Sequence, residues 1–262
     1  TWQPEGEICT WKDDRRDAMR VCAELGIPFR TLDLENEYKQ NVADYMIKEY
    51  AAGRTPNPDI MCNKHVKFGG FFKYAMDEGA DFVATGHYAR TRDNSKSTEL
   101  IQSADEVKDQ TYFLWAISAE ILPKIIFPVG SLQKEEVRII AESADLSVFN
   151  KKDSQGVCFI GKLDMKEFLK GYLHPVPGDV CDMNGKKIGT HDGAVLYTIG
   201  ERHGFAIVNE TTDAEPQFIT KKDIEKNILY VGPQKALIKS DRAEKFTLGE
   251  ANFLSKNSKL HN

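Results

Sequence analysis

The chain has 262 residues, of which 41% are hydrophobic and 29% are charged, and its formal net charge is −5. These values are ordinary for a globular protein, and the length favours two domains. No apolar run approaches the ~18 residues of a membrane span, and no secretory signal opens the sequence, so we expect a cytoplasmic protein with no membrane partner. Five cysteines without regular spacing argue against a secreted disulfide framework, and without zinc-type Cys/His spacing we expect no metal site.

The first part of the chain alternates helices and strands. Apolar residues from position 18 to position 25 recur at helical spacing, and Gly26 is expected to end that helix. Cys22 lies on the apolar face, which indicates a core residue. Residues 27–34 predict a short strand, and a second helix with its apolar face between Tyr38 and Tyr50 follows.

A proline-containing segment, Gly53–Asn63, comes next. Each proline biases the residue before it toward extended geometry, so we predict a rigid loop without helix. Gly53 suits the position after a helix, and Asn63 is expected to cap the helix that follows. Cys62 would then lie at or beside a helix N-terminus, three residues after the carboxylate of Asp59, a setting that favours a thiolate.

A buried strand is predicted over residues 81–85, and Gly86 and His87 follow it directly. With the helices and the strand that precede it, this strand completes the alternation of an α/β domain with a parallel sheet. A further strand is predicted over 99–103 and a helix over 136–146. Ligands of such sheets bind beyond the carboxyl ends of the strands. His87 therefore either belongs to a site or only satisfies the hydrogen bonds of its loop.

A second cysteine, Cys158, lies in a polar, glycine-containing loop downstream of Lys151 and Lys152. We interpret Cys62 and Cys158 as a working thiol pair. Composition alone favours the alternative that both are inert core residues.

The pattern of predicted elements changes in the later part of the chain. A helix is predicted around Met165–Leu173, and from Pro175 to about Gly232 short β-prone segments are separated by turns, which indicates a second, small β domain. Cys181 lies in its first strand and is expected to be structural. Residues 255–262 are polar and are expected to be a frayed end or the cut edge of a longer protein.

Nucleic-acid binding would have to use local basic patches, because the net charge is negative. Candidates are Lys64, Lys67 and Lys73, and also Lys151 and Lys152, with ordinary solvated surface as the alternative. Lys108–Gln110 precedes an aromatic run, and the simplest interpretation is a helix N-terminus capped by Asp109.

Six motifs, in this order, resemble the tRNA-uridine 2-sulfurtransferases, or tRNA 2-thiouridylases. They are GRTPNPDIMCN from Gly53, ATGHYAR from Ala84, KDQTYFL from Lys108, FPVG from Phe127, KKDSQGVCFIG from Lys151 and YTIGERHG from Tyr197. The resemblance runs from about residue 5 to residue 232. It implies an adenine-nucleotide α-hydrolase-like domain of the PP-loop type over 1–163, a central β-rich tRNA-binding domain over 164–240, and the start of a truncated C-terminal β-barrel over 241–262.

The resemblance also implies roles for individual residues. Three match catalytic positions: Cys62 the nucleophile, Cys158 the cysteine that carries a persulfide, and Asp59 an acid/base. Those that match the target-base segment or other tRNA contacts are Asn57, Pro58, Asp59, His87, Lys108, Asp109 and Gln110. Gly86 matches a contact to the adenine nucleotide.

The implied reaction is ATP-dependent thiolation of the wobble uridine of tRNA at C2. ATP, with Mg²⁺, adenylates the base, and a persulfide donates the sulfur. Cys62 then attacks the inner sulfur of the persulfide, which leaves a Cys62–Cys158 disulfide that a reductant must reset. The implied partners are tRNA and a sulfur-carrier protein or cysteine desulfurase.

Two departures from the family pattern keep alternatives open. The sequence contains no SGGxDS phosphate-binding loop, and most of the C-terminal barrel is absent. Either both ends were trimmed, or the chain has lost its ATP chemistry. A non-catalytic tRNA-binding module and a thiol–disulfide redox protein are the alternative functions, although the chain lacks the C-x-x-C motif of the redox class.

Overall fold

The structure is a computed structural model that describes residues 11–94, 97–152, 165–208 and 215–240, together with Asn252 and Leu254. The described residues form two compact units. The first contains residues 11–43 and 57–152 with Asn252 and Leu254, and the second contains 44–56, 165–208 and 215–240. A third domain over 241–262 stays a prediction, because those residues lie almost entirely outside the described ranges.

The helices at the start of the chain follow the predicted periodicity in part. They are α1 (Trp11–Glu24), α2 (Glu35–Tyr38), a π-helical continuation (Lys39–Ala43) and α3 (Asp44–Ala51). Gly26 follows α1 with a φ of +67°, as expected of a residue that ends a helix. The predicted apolar face is confirmed, since Tyr38, Met46 and Tyr50 are all buried.

Two expectations for this region are wrong. Cys22 is only partly buried, and α1 has no buried residue, so Cys22 is not a core residue. Residues 27–34 form no strand, and Ile27 is 52% exposed. A strand persists only when a neighbour satisfies its backbone, and within the described ranges no ladder forms with this segment.

The strands of the first unit confirm the α/β class. β1 (Val83–Ala84) pairs in parallel with a strand that we number β4 (Ile125–Ile126), and the Thr85 amide extends the ladder by donating to the Ile126 carbonyl at 3.0 Å. The intervening β2 (Arg90–Asp93) and β3 (Thr98–Ile101) form an antiparallel pair.

The remaining helical elements are α4 (Pro58–Met61), a π-helical segment (Cys62–Phe71), α5 (Phe72–Asp77), two 3₁₀ turns (Thr111–Leu114 and Leu122–Lys124) and α6 (Lys134–Ser143).

One hydrophobic cluster joins these elements. Its buried members are Phe68, Ala89, Leu114, Ile117, Leu122, Ile125 and Phe127. Phe68 comes from the helix that carries Cys62, and Ile125 comes from β4, so this cluster packs the cysteine helix against the parallel sheet. A fully buried side chain of this size contributes roughly 1.5–3 kcal/mol. By contrast, the apolar residues of α6 are not covered, since Ile139 and Ile140 are 61% and 56% exposed.

The second unit is built on a five-stranded sheet, which confirms the predicted β-rich domain. Its strands are β5 (Gly178–Cys181), β6 (Lys187–His191), β7 (Ala206–Ile207), β8 (Gln217–Asp223) and β9 (Ile228–Pro233), in the order β7-β6-β5-β9-β8. All neighbours are antiparallel except β5 and β9. Two helices complete the unit, α7 (Met165–Leu173) and α8 (Gln234–Ser240). Cys181 is buried in the sheet, as expected. None of the described helices combines the length and apolarity that a bilayer span requires.

Candidate active site

A helix begins inside the segment that the sequence predicts to be a loop. Asn57 is extended, with φ −109° and ψ 98°, and its side-chain oxygen accepts from the amides of Asp59 at 3.1 Å and Ile60 at 3.4 Å. Pro58 occupies the first helical position, where its missing N–H costs no hydrogen bond. The prediction of a loop without helix is therefore wrong. A proline restricts the residue before it, and Pro58 leaves the residues after it able to form a helix.

Cys62 directly follows α4 and begins the π-helical segment. Its thiol lies one turn inside the helix instead of at its first residue, and the residue is fully buried, with 0% exposure. Asp59 is half-buried one turn before it, so the carboxylate and the thiol lie on the same side of the helix. π-Helical turns are rare and are often found at functional sites.

Asn63 is not a helix cap, because the helix has already begun at Pro58. Its side chain is buried, with 2% exposure, and bonds in two directions. The amide nitrogen donates to the carbonyl of Phe113 at 2.9 Å, and the amide oxygen lies 3.2 Å from Nε2 of His87. The residue after Cys62 is thus tied to two other segments of the first unit.

His87 lies beyond the end of β1 and is 8% exposed. Its Nδ1 is 2.9 Å from the hydroxyl of Thr85, and its ring packs against Phe68 and Phe127 with centroids 5.6 Å and 6.2 Å away. Burial, and secondarily the charge of Lys67, lower the pKa of His87 to about 4. The imidazole is therefore neutral at pH 7.

The hydrogen-bond network also assigns the tautomer of His87. Asn63 donates its amide nitrogen to Phe113, so its acceptor oxygen must face the histidine. Nε2 of His87 then carries the proton, and Nδ1 accepts from the hydroxyl of Thr85. The ammonium of Lys67, 3.4 Å from Nε2, can only be a neighbouring charge, because a protonated Nε2 cannot accept from it.

The Lys108–Gln110 segment is held by its own hydrogen bonds. The Gln110 side-chain oxygen accepts from the amide of Tyr88 at 3.0 Å, and the Gln110 amide donates to the Tyr88 carbonyl at 2.8 Å. The Asp109 carboxylate accepts from the amides of Ser103 and Thr111, both at 2.8 Å. The interpretation of Asp109 as the cap is wrong, because the 3₁₀ turn that begins at Thr111 has Gln110 at its N-cap position and no side-chain capping bond. Asp109 instead joins the amides of Ser103 and Thr111.

Asp105 holds the amide of Lys108. Its Oδ1 accepts from that amide at 3.0 Å and from the Val107 amide at 3.0 Å, while Oδ2 accepts from the Lys134 amide at 3.0 Å. These bonds, that from Lys134 first, lower the pKa of Asp105. The backbone of the segment is thus fixed, while the side chain of Lys108 is half-buried.

Three of the sequence motifs are therefore connected by one largely buried series of hydrogen bonds. It runs from Thr85 at the end of β1 through His87 and Asn63 to the Phe113 carbonyl, and the Phe113 amide donates in turn to the Gln110 carbonyl at 3.0 Å. The strand end, the cysteine helix and the Lys108–Gln110 segment are held together by it. Cys158 lies outside the described residues, so its pairing with Cys62 stays a prediction.

The backbone at Gly86, just beyond the carboxyl end of β1, is open. It is exposed, and a Cβ at this position would meet no atom within 4 Å. Ligands of parallel sheets bind at this edge, so the open backbone fits the predicted contact with an adenine nucleotide. Among the residues that the structure describes, no cluster of three or more His, Cys, Asp or Glu side chains could hold a metal ion.

Comparison with known proteins gives a consistent assignment. The family described as tRNA methyl transferase HUP domain matches residues 2–162, and the tRNA methyl transferase PRC-barrel domain matches residues 166–233. The tRNA-specific 2-thiouridylase MnmA of Halalkalibacterium halodurans is 49% identical over 228 residues, which cover 87% of this chain and 61% of the relative. The MnmA of Bacillus subtilis is 47% identical over 240 residues, covering 91% and 64%. The chain belongs to the tRNA-specific 2-thiouridylase family.

Family membership confirms the resemblance read from the six motifs. The chain spans 61% and 64% of the length of these two 2-thiouridylases. The catalytic and tRNA-contacting roles of individual residues stay predictions. His87, expected to contact tRNA, is buried with both ring nitrogens engaged inside the protein.

Sequence reasoning missed the connecting role of Asn63 and Thr85 in this chain. The sequence predicts a cap at Asn63, whereas its partners in the structure lie 24 and 50 residues away. The available signal was its position directly after Cys62 and the position of Thr85 at a strand end. Neither signal identifies a partner without the fold.

Proposed function

We propose that this chain belongs to an enzyme that thiolates the wobble uridine of tRNA at C2. The observation that carries the proposal is the placement of Asp59 and Cys62 one turn apart on a helix that the Asn63–His87 contact ties to the strand end bearing Gly86. The names of the relatives support this reaction, since they are tRNA-specific 2-thiouridylases. Because the chain spans less than two thirds of those two relatives, the activity of the whole protein is part of the proposal.

Exchanging a carbonyl oxygen for sulfur requires that the oxygen become a leaving group, and ATP with Mg²⁺ supplies this by adenylating the oxygen. Within the described residues, Gly86 is the position that would approach the nucleotide, at the open carboxyl end of β1. The sequence has no SGGxDS motif, so we assign no residue of this chain to the phosphates.

The sulfur chemistry falls to the two cysteines. A sulfur-carrier protein or a cysteine desulfurase loads Cys158 with a persulfide, and the outer sulfur attacks C2 of the uridine as the activated oxygen departs. The Cys62 thiolate then attacks the inner sulfur, so that the persulfide S–S bond breaks and a Cys62–Cys158 disulfide forms. A dithiol reductant of the cytoplasm restores both thiols.

Two features of the Cys62 helix bear on this step. Asp59 lies one turn before Cys62 and accepts the proton of the thiol. Because Cys62 is fully buried, its thiol must become accessible before it reaches the persulfide. Asn57 and Pro58 begin this helix and hold Asp59 toward the target base, next to the tRNA contacts of Lys108–Gln110.

Mass spectrometry of tRNA tests the proposal. A strain that lacks its own 2-thiouridylase is complemented with the full-length gene, and wobble 2-thiouridine is quantified. We expect Cys62→Ser and Cys158→Ser each to lower it at least about 100-fold, since a serine hydroxyl replaces the reacting sulfur. Cys22→Ser, on the partly exposed α1, is the matched control and should leave it within about twofold. Undiminished 2-thiouridine in Cys62→Ser would contradict the proposal.

A further inference from the structure

Asn63, the residue after the proposed nucleophile, is held by hydrogen bonds at both ends of its side chain. It is 2% exposed, follows Cys62 directly, and uses both ends of its carboxamide. The nitrogen donates to the Phe113 carbonyl, and the oxygen accepts from Nε2 of His87. Buried polar groups in proteins are nearly always bonded in this way, because an unsatisfied group loses its hydration without compensation. The two hydrogen bonds therefore favour one position and one rotation of the Cys62 helix within the first unit.

We propose that Asn63 is a positioning residue for Cys62, which fixes the thiol relative to the end of β1 and to the Lys108–Gln110 segment. The link to thiolation rests on the function proposed above, whereas the positioning itself does not. A rotation or slide of the helix would leave the carboxamide, the Phe113 carbonyl and the His87 N–H all unsatisfied. Asn63 thereby restricts the orientations that the Cys62 thiol can adopt. A reacting group has to be held in this way if it is to stay near its attack geometry.

The chemistry of the carboxamide allows the two contacts to be separated. Asn63→Leu keeps the branched shape of the side chain in a larger volume and removes both hydrogen bonds. Asn63→Asp keeps an acceptor for His87 but places an oxygen against the Phe113 carbonyl, so only that contact is lost. If Asn63 mattered only as filling, the aspartate variant, which keeps the volume and shape of asparagine, would behave like the wild type.

The experiment measures the alkylation of individual cysteines by iodoacetamide in the full chain, with mass spectrometry of the peptides. We expect both variants to raise the rate at Cys62 at least about fivefold, with Asn63→Leu the faster, because local opening exposes buried groups. Cys181, buried in the second unit, reports general opening of the protein, and Cys22, partly exposed on α1, reports the reactivity of an accessible thiol; neither rate should change. Lys64→Ala, an exposed neighbour on the same helix, is the control and should leave Cys62 unchanged.

A smaller rise at Cys62 in both variants overturns the proposal, and so does an equal rise at Cys22 and Cys181, which would indicate general destabilisation. If Asn63→Leu fails to fold, Asn63→Asp decides. Steady-state kinetics with tRNA give a second readout: kcat should fall at least about fivefold with KM within about twofold, whereas a rise in KM alone would indicate an RNA contact instead. Should the wild type make no 2-thiouridine, the proposed function fails, and the alkylation rates still decide the role of Asn63.

Discussion

The side-chain oxygen of Asn63 and Nε2 of His87 lie 3.2 Å apart in the interior of the first unit, although 24 residues separate them in the sequence. The contact joins the helix of Cys62 to the end of β1. It requires a proton on Nε2, because the opposite end of the Asn63 amide is committed to Phe113 and leaves only the acceptor oxygen for His87. Burial, which lowers the pKa of His87 to about 4, keeps the ring neutral at pH 7, so Nδ1 is left to accept from the Thr85 hydroxyl.

The stability of the protein should fall in acid because of His87. Its pKa is lowered to about 4 in the folded state from 6.5, so between these values the unfolded chain binds more protons and the free energy of unfolding decreases as pH falls. Between pH 7 and pH 4.5 the loss should be of order 2 kcal/mol. Urea unfolding of the wild type and of His87→Gln, which cannot titrate, measures it as the difference between the two pH dependences.

That difference isolates His87 from the other histidines. Burial also lowers the pKa of His65 and His191, and both groups remain in the variant, so their contributions cancel. Identical pH dependences in the two proteins would show that His87 is not held neutral by its surroundings.

Replacing Asn57 should weaken the start of the helix that carries Asp59 and Cys62. Asn57 caps two amides, so Asn57→Ala should lower the free energy of unfolding of the first unit by about 1 kcal/mol. Asn57→Ser keeps a capping oxygen and should lose less than half as much. Urea denaturation followed by tryptophan fluorescence measures both variants. Equal losses would mean that the cap does not explain the role of Asn57.

Regular periodicity and turn chemistry made much of the fold predictable. The spacing of Tyr38, Met46 and Tyr50 gave a face that is buried in the structure, and Met165–Leu173 is a helix as expected. The strand predicted at 27–34 does not form, because β propensity alone does not provide a neighbouring strand to pair with. The helix start at Pro58 was missed because a proline restricts its predecessor and is also favoured at the first helical position, and the sequence does not say which effect prevails.

The site was predictable only as separate motifs. Cys62, His87 and Gln110 each stood in a motif of the resemblance, and the structure gathers those motifs around one chain of hydrogen bonds. This series of hydrogen bonds was not predictable, because asparagine is equally common as a helix cap and the residue type does not distinguish the two roles. The partners of Asn63 are set by tertiary packing, which brings together segments 24 and 50 residues apart.

Gly130 should tolerate no side chain. A Cβ there would lie 1.7 Å from the Ala89 carbonyl oxygen, in the loop that follows His87, so Gly130→Ala must displace that backbone. We expect a loss of at least about 2 kcal/mol in the free energy of unfolding. Gly171→Ala, inside α7 where a Cβ meets nothing within 4 Å, should instead stabilise by up to about 1 kcal/mol. Chemical denaturation of both variants compares them, and a neutral Gly130→Ala would contradict this packing.

Asp109 should matter for stability before it matters for RNA. Its carboxylate accepts from the amides of Ser103 and Thr111, so Asp109→Ala leaves both donors without a partner and should cost about 2 kcal/mol of unfolding free energy. Asp109→Asn retains one acceptor oxygen and should cost less. If Asp109→Ala is as stable as the wild type and only its affinity for tRNA falls, then Asp109 acts as an RNA contact and does not stabilise the fold.

Lys108 differs from Asp109, because Asp105 holds its backbone amide while its side chain is only half-buried. If it meets a tRNA phosphate, Lys108→Ala should leave the free energy of unfolding within about 0.5 kcal/mol and weaken tRNA binding. The slope of log affinity against log salt should become shallower by about 0.7–0.9, the value for one lost phosphate contact. Lys124→Ala, an exposed lysine of the same unit, is the matched control. Binding titrations across a salt series decide: an unchanged slope for Lys108→Ala, or an equal change for Lys124→Ala, would remove Lys108 from the RNA interface.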